Sequence, residues 1–418
     1  MADNMEESHD RVSRPVVQKP ISRRSFLRGM AAVVVGLGLG GCSSSKQSMP
    51  KKQGPHLATV TDKVESSSIT LMMVGDMLAH TSLIQSGKLP DGSINYDHLF
   101  THMADDFKNA DIAMINQETI LGTTDLSKTS GYPTFNSPQQ IGDAEAKAGI
   151  DVVTCATNHA MDRGFNGIKS EVEFWKNNHP EMVVTGIFEN EEDARKIPVV
   201  ERNGVKVALL NYAEQTNGIP LPADAPWCVK MFATSDIASD VIEARKVADF
   251  VVAIAHWGTE YVYTPNDFQR QKGQELADAG VDAIIGGHPH VIENVDILNG
   301  KDGKKVPCFW SIGNYASTQS EKPRMLGGMA KLTLQKTGKE CKVTEWSMTP
   351  LVTHQTRGNQ NFGTYKLSDY TEELASQNWI RNYGASCADF TRAYVNDLAA
   401  QILGSGYDKD ACVLKGTL

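Results

Sequence analysis

Short apolar runs alternate with helical sequence patterns along most of this chain of 418 residues. The clearest runs span residues 69–74, 111–115, 151–155, 250–255 and 281–285. Strands that are apolar nearly throughout belong to sheets that are covered by helices. Hairpin signals at Asn203-Gly204 and near residues 300–303 add antiparallel strands. The chain is therefore predicted to be an α/β protein with mixed sheets.

The organisation of the chain follows from these patterns. Strand-like and helical segments over residues 69–350 predict one large domain. Residues 351–418 are predicted to form a C-terminal extension whose helical apolar spacing lets it pack on the core. Residues 43–68 are rich in Ser, Lys, Gln, Gly and Pro, which is typical of a flexible tether.

The first 42 residues carry a targeting pattern. Arg23 and Arg24 precede an apolar segment, residues 30–39, that is too short and too glycine-rich to span a bilayer. The segment ends in Leu39-Gly40-Gly41-Cys42, which resembles a lipobox. A chance basic pair before a buried helix is the alternative. We expect residues 1–42 to be a twin-arginine (Tat) lipoprotein signal, so that the protein is exported by Tat. A lipid on Cys42 would then anchor the protein to the extracytoplasmic side of the cell membrane.

Charge and cysteine content exclude some classes of protein. The formal net charge is -9, and no Lys/Arg cluster is interleaved with aromatic residues, so nucleic-acid binding is not expected. Six cysteines remain besides Cys42, and their spacing matches no zinc site. Export in the folded state argues against a disulfide framework.

Polar residues recur where the apolar runs end. They are Asp76, Glu118, Asn158 with His159, His256, and the pair His288 and His290. Ligands of open α/β sheets bind beyond the carboxyl ends of strands, so these residues are expected to converge. Two acids, an amide oxygen and three imidazoles can hold two divalent cations and activate a water molecule.

Each of these residues also has an ordinary structural explanation. Asp76 alone is typical of a turn, Glu118 of a solvated loop, and Asn158-His159 of a turn amide with a buried histidine. The pair around Pro289 is more specific, because two residues apart in a strand place both rings on one face. Their order at successive strand ends favours the metal interpretation.

The motifs around these residues resemble those of the CapA-like poly-gamma-glutamate capsule-synthesis family. They are Val74-Gly75-Asp76, Asn116-Gln117-Glu118, Asn158 to Gly164, His256 to Tyr261, Gly287 to Val291 and Ser311 to Tyr315. That family is related to calcineurin-like metallophosphatases. The resemblance implies a four-layer αββα sandwich with a two-metal site at one rim.

The resemblance also implies a role for each residue. Asp76 and His290 would bind the first metal, Glu118 would bridge, and Asn158, His256 and His288 would bind the second. The ions would be Mn, Fe or Zn. His159 matches the phosphatase histidine that acts as general acid or stabilises the transition state, and Asp162 would orient it.

Some positions depart from the family pattern. Thr157, Gln117 and Tyr315 stand where the family usually has Asn, Leu and Phe. The phosphatase Asp-x-His motif is absent because residue 78 is Leu, and His80 is the candidate replacement. Trp257, Glu260 and Asn314 are further candidates within the matching motifs.

These observations predict an exported lipoprotein with a metal-dependent hydrolase or transferase site. The expected substrate is an anionic cell-envelope polymer or a phosphoester, and the expected partners are the membrane and a polymer-synthase complex. A non-catalytic envelope scaffold that binds polymer and retains the fold is the alternative, so whether the protein is an enzyme stays open.

Overall fold

Two β-sheets organise the chain in this computed structural model, which describes residues 66–356 and 362–418. The strands are β1 (Ser66–Met77), β2 (Ile112–Gln117), β3 (Val152–Thr154), β4 (Val183–Thr185), β5 (Val199–Arg202), β6 (Val205–Ala213), β7 (Phe250–His256), β8 (Ala283–Gly287), β9 (Val295–Asn299), β10 (Lys305–Phe309), β11 (Asn314–Ala316), β12 (Leu326–Thr337), β13 (Glu340–His354), β14 (Gly363–Lys366) and β15 (Leu414–Thr417). The helices are α1 (Thr81–Ser86), α2 (Ala104–Asn109), α3 (Gln140–Ala148), α4 (Gly164–Asn178), α5 (Glu191–Ala194), α6 (Ile237–Val247), α7 (Asp267–Ala279), α8 (Glu372–Gln377) and α9 (Arg392–Leu403). The predicted signal with Cys42 lies outside the described residues.

Both sheets are mixed. The larger sheet runs β14-β13-β12-β1-β2-β3-β4, with β11 beside β1 and β15 beside β13. Its strands β1 to β4 are parallel, while β12, β13 and β14 pair antiparallel. The smaller sheet runs β5-β6-β7-β8-β10-β9, with a parallel centre and antiparallel edges.

Alternation along the strands shows how the layers stack, because successive side chains point to opposite faces. In β1, Leu71 and Met73 join a buried cluster that also contains side chains of the smaller sheet. Met72 and Val74 join a second cluster with residues of α1 to α4. The smaller sheet packs its other face on α6 and α7. The order is therefore helix, sheet, sheet, helix, and the predicted αββα fold is confirmed.

Local sequence explains two of the elements that carry this architecture. Asn203 and Gly204 both have positive φ, at 51° and 76°, as a two-residue turn between β5 and β6 requires. Helix α7 begins with a capping box in which the side chains of Asn266 and Gln269 each bond to the other's backbone N–H. The turn sets the pairing of β5 with β6, and the capping box sets where α7 begins between β7 and β8.

The boundaries of the fold differ from those expected at both ends. The pairing of β1 begins at Ser66, opposite Thr337 of β12, so the sheet includes the last residues of the expected tether. The boundary expected at residue 350 lies within β13, because this strand pairs with β12 as far as Val352. Residues of the C-terminal segment, including those of α9, line the buried cluster between the sheets.

The described cysteines, at 155, 228, 308, 341, 387 and 412, are all unpaired. Within residues 66–356 and 362–418, no helix has the length and apolar character that crossing a membrane requires.

Candidate metal centre

Asp76 reaches the centre because the end of β1 is irregular. Its register with β2 shifts between Val74 and Asp76, so Gly75 is left out of the ladder. A Cβ on Gly75 would lie 1.8 Å from the carbonyl oxygen of Gly313, so only glycine allows this backbone approach. Asp76 is fully buried; its Oδ1 accepts a 2.8 Å hydrogen bond from Asn116 Nδ2, and its Oδ2 one of 3.2 Å from the backbone N–H of His288.

Glu118 follows β2 and lies between the imidazoles. Its Oε1 is 3.6 Å from His290 Nε2 and 3.7 Å from His256 Nε2. The residue is 1% exposed, and neither carboxylate oxygen has a hydrogen-bond partner among the described residues. A buried carboxylate in this state is strongly destabilising unless a cation compensates it. Glu118 is therefore the residue that most clearly calls for a metal.

Two overlapping ligand groups share Glu118. One contains Glu118, His256 and His288, and the other contains Asp76, Glu118 and His290. Within each group the ligand atoms lie within 4.8 Å of one another. Asn158 adds an amide oxygen, since its Oδ1 is 2.8 Å from His256 Nε2. Oxygen and imidazole donors suit Mn, Fe and Zn, so the residues present fit two divalent cations.

His288 and His290 reach the two groups by a different route from the one expected. They follow β8 rather than lying in a strand, and their φ angles are 95° and 58°. Left-handed backbone is uncommon for residues other than glycine and concentrates at functional sites. The same-face argument was wrong because the strand ends at Gly287, and the turn sends one ring to each ligand group.

The pKa values of the buried acid and histidines in this centre shift in different directions. Burial by itself would raise the pKa of Asp76, but a hydrogen bond with His290 and the charge of His256 outweigh it and lower that pKa. Burial opposes protonation of His290, yet Glu118 and Asp76 raise its pKa to about 9. Burial, helped by His256, lowers the pKa of His288 well below its ordinary value. His288 is thus a neutral imidazole whose Nδ1 has no partner among the described residues.

His159 lies beside the ligands with its orientation fixed. Its Nδ1 is 2.7 Å from Asp162 Oδ2, which also accepts a 2.6 Å hydrogen bond from the backbone N–H of Phe135. The Phe135 ring packs edge-on against the imidazole, with centroids 4.7 Å apart. Because Asp162 holds Nδ1, the opposite nitrogen, Nε2, is the one left for proton transfer.

The remaining candidate site residues, Asn314, His80, Trp257 and Glu260, have different surroundings, and only Asn314 contacts a proposed ligand directly. Asn314 supports the centre, since its Oδ1 is 3.0 Å from His290 Nδ1. His80 is outside both ligand groups and holds its Nδ1 3.2 Å from the carbonyl oxygen of Leu78. Trp257 belongs to the core, where its indole donates to the carbonyl oxygen of Trp310. Glu260 is exposed. Burial lowers the pKa of His290, and the charge of Glu260 raises it, although less than Glu118 and Asp76 do.

Two amides that organise the centre were not among the predicted site residues, although Asn116 stands in the motif Asn116-Gln117-Glu118. Asn217 accepts a 3.2 Å hydrogen bond from Asn158 Nδ2, and its own Nδ2 lies 3.3 Å from His159 Nδ1. This contact turns Asn158 Oδ1 toward His256. Asn116 links Asp76 to His256, whose Nδ1 is 3.3 Å from its amide nitrogen. The signal for Asn217 was its position just beyond β6, another strand that ends at this rim.

Comparisons with known proteins bear on this geometry. Residues 70–319 match the family model described as "Bacterial capsule synthesis protein PGA_cap". The "PGA biosynthesis protein CapA" of Bacillus subtilis (strain 168) is 34% identical over 216 residues, covering 49% of this chain and 51% of that protein. The "Capsule biosynthesis protein CapA" of Bacillus anthracis is 29% identical over 267 residues, covering 61% of each chain. The match thus spans about half to three-fifths of the length of these relatives.

Among solved structures, a 5'-nucleotidase precursor from Thermus thermophilus aligns with 68% of this chain and 54% of its own. The sequences are 15% identical, and the TM-score is 0.42.

Proposed function

The chain belongs to the bacterial capsule synthesis protein family PGA_cap, and from this premise we propose that it is a metal-dependent hydrolase or transferase of an anionic envelope polymer. The proposed substrate is a γ-glutamyl chain, in keeping with the resemblance to the poly-gamma-glutamate capsule-synthesis family and with "PGA" in the name of the Bacillus subtilis relative. Further parts of the proposal are export through Arg23-Arg24, a lipid anchor at Cys42, and work beside a polymer-synthase complex.

One observation carries the proposal. Both oxygens of Glu118 are buried without a hydrogen-bond partner among the described residues, between imidazoles that belong to two ligand groups. Bridging carboxylates of two-metal hydrolases occupy such a position. Two divalent cations bound there would activate a water molecule and neutralise charge that develops on the reacting group.

The side chains of this chain supply the remaining functions. Asp162 holds His159 Nδ1, so a proton on Nε2 can pass to the group that leaves when water cleaves an amide or phosphoester bond. Asn217 fixes the amide of Asn158, and Asn314 fixes the ring of His290. Asn158, His159, His290 and Asn314 are buried, which limits the access of bulk water to the reacting atoms, whereas Asn217 is exposed.

The test separates a catalyst from a scaffold. Metal-loaded protein is incubated with γ-glutamyl peptides, phosphodiesters and phosphomonoesters, and the products are quantified. His159→Ala should keep metal content and melting temperature while the rate falls by roughly 10²–10⁴, the usual loss on removing a general acid. His179→Ala is the matched control, because His179 pairs with Asp143 at 2.7 Å on the outer helices.

Two outcomes would contradict the proposal. Equal rates for wild type and His159→Ala would remove the role of His159. If metal-loaded wild type converts none of these compounds, while His159→Ala still supports polymer production in cells, the protein is a polymer-binding scaffold.

A further inference from the structure

Tyr261 holds a strained position beside the metal ligands. Its φ is 65°, a conformation that bulky aromatic residues rarely adopt. Its backbone N–H donates a 2.8 Å hydrogen bond to the carbonyl oxygen of Pro289, which lies between His288 and His290. The Tyr261 ring lies 6.0 Å from the His290 ring, centroid to centroid. The loop that carries Tyr261 is therefore tied to the loop that carries two ligands.

Arg324 lies on the other side of this ring. It belongs to a short 3-10 helix, Lys322–Met325, and its Cζ is 3.5 Å from the centroid of Tyr261. Its Nη2 is 3.2 Å from Glu321 Oε1, whose side chain is 62% exposed. Stacking uses the face of the guanidinium and leaves its edge donors directed elsewhere, where they can form paired bonds to a carboxylate.

Negative charge surrounds Arg324. The chain carries a net charge of -9, and exposed Glu260 lies next to Tyr261 in sequence. A polyanion that approaches the centre meets repulsion unless a fixed cation compensates it. Arg324 supplies such a cation one ring away from His290.

We propose that Arg324, stacked on Tyr261, forms a subsite that binds a side carboxylate of a γ-glutamyl chain while the neighbouring linkage lies at the metal centre. This inference rests on the proposed function and names the recognition element of that site. A simple phosphoester places its one anionic group on the metals and leaves a second anion site unused. A γ-glutamyl chain carries a free carboxylate at every repeat, so it presents a second anion to Arg324.

Binding of a fluorescent γ-glutamyl oligomer to the metal-loaded full chain tests the subsite. Arg324→Gln should weaken binding roughly 10- to 100-fold, as expected for lost charge-assisted hydrogen bonds, and Arg324→Lys should recover part of it. Arg195→Gln is the matched control, since Arg195 is also paired with a glutamate of its own helical segment, Glu191, at 2.6 Å. Metal content and melting temperature are measured on every sample.

Two comparison ligands make the test independent of any one variant. The same oligomer with its carboxylates converted to amides should bind wild type weakly and be indifferent to Arg324→Gln. A glycerol-phosphate oligomer should depend on Arg324 less than the γ-glutamyl oligomer does.

The outcomes separate the two proposals. If wild type binds the acidic oligomer and Arg324→Gln binds it equally well, the subsite is wrong and the proposed function stands. An equal loss for the acidic and amidated oligomers, or a stronger dependence for the glycerol-phosphate oligomer, also overturns the carboxylate subsite. If wild type does not bind the acidic oligomer at all, the proposed substrate class fails together with the subsite.

Discussion

The two overlapping ligand groups predict a specific pattern of metal loss. His288 belongs to one group, His290 belongs to the other, and Glu118 belongs to both. His288→Ala and His290→Ala should each lose mainly one equivalent of metal, whereas Glu118→Ala should lose both. The double variant His288→Ala/His290→Ala should resemble Glu118→Ala.

The size of the thermal effect follows from linkage. A metal ion whose free concentration is about a hundred times its dissociation constant stabilises the folded state by about 2.7 kcal/mol. Unfolding about 350 residues at about 2.1 cal/mol/K per residue has an entropy near 0.7 kcal/mol/K, so each site should raise the melting temperature by about 4 °C. On chelation, the melting temperature of wild type should therefore fall by about 7 °C and that of each single histidine variant by about 4 °C. The melting temperature of Glu118→Ala should hardly change.

Elemental analysis after dialysis and calorimetry with and without chelator measure these quantities. His179→Ala serves as the control, because it removes an imidazole outside both ligand groups. The assignment is refuted if Glu118→Ala retains as much metal as either single histidine variant, or if its melting temperature still falls by about 7 °C on chelation.

Three other expectations follow from the structure and sequence. Asn217→Ala should keep metal but lower activity by roughly 10- to 100-fold, measured with the same substrates, because the amide of Asn158 loses its fixed orientation. Burial and the charge of Glu171 raise the pKa of Glu145 well above its ordinary value, so folding favours the protonated acid and the associated stability is lost as pH rises. Glu145→Gln should therefore raise the unfolding midpoint at pH 8 and leave it unchanged near pH 4, as denaturant titrations can check. Cys42→Ala should move the protein from the membrane to the soluble fraction, and unchanged fractionation would contradict a lipid anchor.

The sequence predicted those features that depend on the residues of one strand and its end. Apolar runs located the central strands, and the fold class followed because such strands must be covered on both faces. The sequence alone groups the polar residues at the ends of β1, β2 and β3, and those at the ends of β7 and β8, because the carboxyl ends of parallel strands in one sheet share an edge. The structure brings these two edges together, so that Asp76, Glu118 and Asn158 from the larger sheet meet the three imidazoles from the smaller sheet.

Features that depend on two distant segments could not be predicted in the same way. Asn217 acts through hydrogen bonds to residues 58 and 59 positions earlier, and nothing in its own loop indicates those partners. The stacking of Arg324 on Tyr261 likewise joins two loops that only the folded chain places side by side. The turn at His288 and His290 was misjudged because periodicity does not report left-handed backbone.

Small residues explain why the ligands can approach so closely. A Cβ on Gly287 would lie 2.8 Å from Asp76 Oδ1, and one on Gly286 would lie 2.0 Å from the carbonyl oxygen of Trp310. Gly287 thus lets the end of β8, in the smaller sheet, approach the Asp76 side chain at the end of β1, in the larger sheet. Gly75 and Gly286 admit the carbonyl oxygens of Gly313 and Trp310. The position of Asp76 is thus set by main-chain contacts of both sheets, before any cation binds. The motifs around Asp76 and His288 therefore need Gly75 and Gly287 as well as their ligands, because a side chain at either glycine would displace the Asp76 carboxylate from the backbone N–H of His288 and from the His290 ring.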